Sequence, residues 1–148
     1  MSAENKHNIC VFLLDGEPYG NKNKEEERTM IEDPKQFLKS LQNGFEGFSK
    51  VDKEPLKAFE NLNENALKPG ALDRKTKTLM CVAIGIATHC EYCIAARTAQ
   101  AFQAGATREE LIETASVGLL MGGSLAMGPI ITLFVDTINM LAPESGKE

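Results

Sequence analysis

From Thr114 to Val135 the chain carries no charged residue, and this run exceeds the roughly 20 residues that cross a bilayer. It is either one membrane span or two helices with large buried faces. Gly118, the Gly122-Gly123 pair, Gly128 and Pro129 interrupt it. Ahead of it, Thr107-Arg108-Glu109-Glu110 has the form of a helix capping box. We therefore read a fifth helix over "REELIETASVGLLM", a break at Gly122-Gly123-Ser124, and a last helix through "PIITLFVDTINML" from Pro129. No membrane association is expected. So much apolar surface in a chain of 148 residues is more than one small interior hides, which points to a homo-oligomer.

Upstream, helical periodicity continues. Asp33-Pro34 supplies an N-cap followed by Pro, with Gln36 in the capping-box place. Phe37, Leu38 and Leu41 form a stripe, and Asn43-Gly44 is expected to stop this first helix. Leu56, Phe59 and Leu62 mark a second, running to about Asn63. Asp73 can cap a third, whose interior "LMCVAIGIA" is apolar all round and is expected to be buried on every side. A fourth begins near Cys90 and ends at Gly105. Residues 8–20, "NICVFLLDGEPYG", read instead as a strand or extended arm closed by turns, followed by the solvated linker "NKNKEEER". The expected fold is all-α with about six helices. Residues 1–50 form the arm and a short helix, and residues 51–148 the helical domain.

Sixteen Lys+Arg against twenty-one Asp+Glu give a net charge of -5. The basic residues form no stripe interleaved with aromatics, so a nucleic-acid partner is not expected. The early apolar run "CVFLL" is shorter than a secretory core of roughly 7–15 residues, which suggests a cytoplasmic protein. In that reducing compartment the four cysteines rest as thiols, and a C-x-x-C pair there is more often catalytic or metal-binding than structural. Cys10 and Cys81 stand alone in apolar runs and read as small buried hydrophobes.

The C-x-x-C pair is Cys90 and Cys93, within "THCEYCIAARTAQ". At the head of the fourth helix both thiols fall in its first turn and on one face. Free backbone N–H groups and the positive end of the helix dipole favour thiolate over thiol there. The spacing lets one sulfur attack a substrate and the other resolve the mixed disulfide. Zinc would need four ligands. One C-x-x-C with His89 beside it and His7 in the arm does not make a closed site within one chain, and an iron–sulfur cluster would have to borrow Cys81, Cys10 or a second subunit. The residues thus favour a redox dithiol without a cofactor and leave a metal site and two inert cysteines as alternatives.

The blocks "PGALDRKTK", "HCEYCIAARTAQAFQAGATREEL" and "GLLMGG" resemble the carboxymuconolactone decarboxylase family, in its AhpD-like branch of alkyl hydroperoxidase accessory proteins. The likeness covers about residues 51–141 and leaves the arm outside. It implies an all-helical domain that assembles as trimers or hexamers, with a C-x-x-C pair cycling between dithiol and disulfide. The implied activity is that of a thiol–disulfide oxidoreductase acting on a small disulfide, a peroxide or a redox protein partner. The peroxidase members carry a Glu twelve residues before the first cysteine and a His four after the second, as a proton relay. Here those places hold Thr78 and Arg97, neither of which is a base near neutral pH. Weak or absent hydroperoxidase activity is therefore expected. Arg97 is one turn beyond Cys93, where a fixed charge can favour its thiolate. His89 and Tyr92 flank the thiols, and Cys81 shares a helix face with Thr78, so these three complete the set of supporting candidates. A non-enzymatic redox-sensing or scaffold oligomer is the alternative. Nothing in the chain resembles the anion-binding histidines and arginines of the decarboxylase branch.

Overall fold

A computed structural model describes residues 33–142. The extended arm expected over residues 8–20, and with it His7 and Cys10, lies outside the described residues. Within them the fold is all-α and contains no strand. Five helices come first: α1 Pro34–Ser49, α2 Lys53–Leu67, α3 Arg74–Ala87, α4 Glu91–Gln103 and α5 Arg108–Gly122.

Four of the starts follow from local capping. Asp33 accepts hydrogen bonds from the N–H groups of Lys35 and Gln36, Asp52 from Glu54, and Asp73 from Thr76. Thr107 and Glu110 form the reciprocal capping box of α5, each half satisfying an N–H that the helix itself leaves unpaired. The stops are less local. Helix α1 does not end at Asn43-Gly44 but runs on to Ser49. Its apolar stripe continues through Phe45 and Phe48, which with Phe37, Leu41 and Leu56 of α2 line a shared apolar hollow. That packing outweighs the roughly 1 kcal/mol that a glycine costs inside a helix.

Helix α3 is the centre of the fold and packs most extensively against α5 and α4. Val82 and Ile86 are fully buried, and join Ile94, Leu111, Leu133, Phe134 and Ile138 in the core. At Gly118 of α5 an added Cβ would lie 2.8 Å from Ile86 Cγ2, so the two helices approach at a distance only glycine permits. The expectation that α3 is buried on every side fails in one copy of the chain. Met80 and Ile84 on its far side are exposed.

The last helix also differs from expectation. After Gly123, at φ 66°, come a 3-10 turn Gly123–Ala126, a single α-turn α6 Met127–Pro129, a π-helical stretch Ile130–Phe134 and α7 Val135–Leu141. Pro129 has no N–H to give to the preceding turn, and the wider π spacing follows it directly. Arg108–Leu141 is long and apolar enough by composition to cross a membrane, but its backbone changes helical form four times. Its inward residues Leu111, Ala115, Leu133, Phe134 and Ile138 belong to the protein core.

Candidate functional site

Thr88, His89 and Cys90 connect α3 to α4, and the connection is built from backbone hydrogen bonds. The N–H groups of Thr88, His89 and Cys90 donate to the carbonyls of Ile84 (2.9 Å), Ile86 (3.1 Å) and Gly85 (2.9 Å). They thereby satisfy the carbonyls that the end of α3 leaves open. To close this turn His89 takes the left-handed conformation, φ 56°, which is uncommon for a residue with a side chain. The turn delivers Cys90 in extended conformation as the N-cap of α4, where its Sγ accepts the N–H of Cys93 at 3.3 Å. Cys90 and Cys93 are joined as a disulfide with their Cα atoms 5.2 Å apart.

Gly85 touches both halves of this pair. Its carbonyl holds the Cys90 N–H, and an added Cβ would stand 3.0 Å from Cys93 Cβ. A residue with a side chain there would push α3 off α4 at the disulfide. The only sequence signal for this contact is a small residue inside an apolar helical run.

Helix α4 divides its faces. Ile94, Ala95, Thr98 and Ala101 are buried, whereas Tyr92, Cys93, Ala96, Arg97 and Gln100 form one wall of an open groove of about 1050 Å³. Helices α1 and α2 supply the other walls, with Leu41 and Phe45 from α1 and Leu56, Phe59 and Asn63 from α2. Cys93 belongs to this lining. Tyr92 packs its ring against Phe37 in a tilted pair, 5.2 Å between centroids, which docks α4 on α1.

The structure sorts the other sequence candidates. Arg97 lies in the groove, where its Nη1 donates to Asn63 Oδ1 at 2.8 Å and to Gln100 Oε1 at 2.7 Å. Gln100, three residues on, shares its helix face, a spacing visible in the sequence. Asn63 is 34 residues away, and nothing local announces it. Thr78 is buried, and its hydroxyl donates to the Arg74 carbonyl at 2.8 Å, so it serves its own helix. Cys81 is a half-buried free thiol. It stands one turn before Gly85 on α3, about 6 Å along the axis from the point where that helix meets Cys93. His89 is exposed, and its structural contribution is the turn itself. Among the described residues no three His, Cys, Asp or Glu side chains are grouped to hold a metal ion.

Two ion pairs brace the frame behind the site. Lys75 Nζ of α3 meets Glu110 Oε1 of α5 at 2.6 Å, while Glu110 Oε2 accepts the Thr107 N–H at 2.8 Å. The Lys75 hydrogen bond first, then that backbone bond, holds the Glu110 carboxyl below its ordinary range, and the same contact raises Lys75. Arg74 grips Glu64 with both terminal nitrogens at 3.1 Å, tying α3 to α2 and lowering the Glu64 carboxyl.

Residues 53–128 match the sequence profile of the carboxymuconolactone decarboxylase family. The chain belongs to that family. A solved carboxymuconolactone decarboxylase family protein of Legionella pneumophila is 30% identical and superposes with a TM-score of 0.67, over 72% of this chain and 95% of that one. A Thermotoga maritima member, whose suggested role is in an antioxidative response, is 33% identical with a TM-score of 0.54, over 59% of this chain and 89% of its own. An uncharacterised protein of Cupriavidus necator is 30% identical over 94 residues, which cover 64% of this chain and 83% of that protein. The match to the family spans the second helix through the break after α5, and so includes Gly85, the cysteine pair and Arg97.

Proposed function

We propose that this family member is a thiol–disulfide oxidoreductase, working as a cytoplasmic homo-oligomer, with Cys93 as the attacking thiol and Cys90 as its resolving partner. The observation that carries the reading is the Cys90–Cys93 disulfide at the head of α4 with Cys93 in the groove wall. In the reduced protein the Cys93 thiolate attacks one sulfur of a disulfide R–S–S–R′. A protein–S–S–R bond forms and R′S⁻ leaves. The Cys90 thiolate then attacks Cys93 Sγ, closing the internal disulfide and releasing RS⁻. Two electrons pass to the substrate, and the two protons lost by the protein thiols neutralise the leaving thiolates. A dithiol, small or carried on a redox protein, regenerates the pair by the reverse exchange. Cys90 suits the resolving step because it is the N-cap of the same helix turn, with its sulfur already within bonding reach of Cys93 Sγ.

Hydroperoxide turnover is expected to be weak. A positioned general base is worth about 10²–10⁴-fold, and the relay places hold a Thr78 bonded to its own helix and an Arg97 bonded to amide oxygens. The test is reduction of insulin or dithiobis(nitrobenzoate) by the wild type, Cys90→Ser and Cys93→Ser. Loss of turnover in both variants is expected, with Cys90→Ser trapping the mixed disulfide on Cys93. Full activity in both variants would refute the assignment.

A further inference from the structure

We infer that the groove beside Cys93 selects organic disulfides that carry a carboxylate on an apolar body, and that Arg97 is the carboxylate's seat. The inference rests on the dithiol reading above and names its substrate class. Arg97 has five N–H donors. Nη1 spends both of its own on Asn63 and Gln100, two neutral amide oxygens that fix the guanidinium without cancelling its charge. Among the described residues no carboxylate pairs with it. Among the described residues Nε and Nη2 make no hydrogen bond, so toward these residues the edge that grips a carboxylate side-on with two parallel bonds is open.

The surroundings fit the same ligand. Lys53 and Lys57 also line the groove, against Glu46 and Glu60, so with Arg97 its formal charge is +1. Leu38, Leu41, Phe45, Leu56, Phe59 and Tyr92 make the rest of the lining largely apolar. Cys93 is one turn from Arg97 on the same face of α4, which places their Cβ atoms about 5–6 Å apart. A ligand whose carboxylate rests on the guanidinium thus presents a nearby sulfur to Cys93, its body covered by α1 and α2. The arginine that takes the relay histidine's place binds substrate and moves no proton.

The test compares two disulfides of similar reactivity in single turnovers of the reduced protein: dithiobis(nitrobenzoate), which carries carboxylates, and uncharged 4,4′-dithiodipyridine. The ratio of their rate constants cancels any change in thiol ionisation, since that affects both reagents. In Arg97→Gln the ratio is expected to fall about tenfold, within the range of one charge-assisted bidentate contact. Arg97→Lys, a point charge without the fork, is expected to recover only a small part of it. An unchanged ratio in Arg97→Gln, or full recovery with lysine, overturns the seat. Consumption of neither disulfide by the wild type sinks the dithiol reading instead. The seat is then still tested on the oxidised protein by calorimetry with octanoate and octanamide. Octanoate binding that weakens about tenfold in Arg97→Gln, with octanamide unaffected, supports the seat; equal behaviour of the two ligands refutes it.

Discussion

Single residues set the geometry of the cysteine pair, and the least conspicuous of them is Gly85. Its carbonyl fixes the N-cap residue and its missing side chain makes room for Cys93. Gly85→Ala puts a methyl group 3.0 Å from Cys93 Cβ and 3.4 Å from the Ile94 nitrogen, and α4 must shift where the two sulfurs bond. Overpacking of this kind costs about 1–3 kcal/mol. Because the strain falls on the disulfide's own frame, we expect the Cys90–Cys93 reduction potential to move as well, which a glutathione redox titration reads. Gly118→Ala is the control. It crowds the Ile86 side chain at 2.8 Å from α5 and touches neither cysteine, and should lower the melting temperature while leaving the potential in place. A wild-type potential in Gly85→Ala would show that the glycine serves packing alone. His89 and Tyr92 illustrate the same division: the sequence marks both as neighbours of the thiols, yet one provides a left-handed turn and the other an aromatic contact with Phe37.

At the scale of elements, Glu110 is the joint between two levels of order, because one oxygen completes the α5 capping box and the other binds Lys75 across to α3. Its carboxyl is held below the usual glutamate value of 4.5. A depressed folded-state pKa contributes stability that is complete above the unfolded value and is lost as the pH falls through the folded one. Glu110→Gln should therefore lower the melting temperature near neutrality and flatten its decline below about pH 4.5, measured by thermal unfolding between about pH 3 and 7. A variant with an unchanged acid slope would remove Glu110 from this role. The start of α5 was legible because capping is a signal within four residues, and the caps at Asp33 and Asp73 were legible for the same reason. The end of α1 was not, since Phe45 and Phe48 line an apolar hollow shared with Leu56 of α2 and Tyr92 of α4, which a local stop signal at Asn43-Gly44 cannot report. The cysteine pair itself was plain in the sequence. The Asn63 bond that orients Arg97 was not, because it joins two helices whose proximity only the fold creates.

Across the whole molecule, the apolar run that dominates the sequence is only half used by one copy of the chain. Leu120, Met121 and Leu125 are 80%, 75% and 73% exposed, and Met80, Ile84, Val117 and Ile131 are exposed with them. Fully burying one such side chain is worth about 1.5–3 kcal/mol, so leaving these side chains of α3, α5 and the segment after α5 in water is costly, and the proposed homo-oligomer gives them a partner. The proposal predicts a native mass that is a multiple of 16.2 kDa by light scattering. It further predicts that Leu120→Glu combined with Leu125→Glu releases folded monomers, because each subunit would have to bury two new charges at the contact. None of these exposed residues lines the groove that contains Cys93. The released monomer should therefore keep its helical circular dichroism and its single-turnover reaction with a disulfide, while losing thermal stability. A wild-type mass of 16.2 kDa would mean that the apolar face has no partner copy. A doubly charged variant that stayed assembled would place the subunit contact on another face.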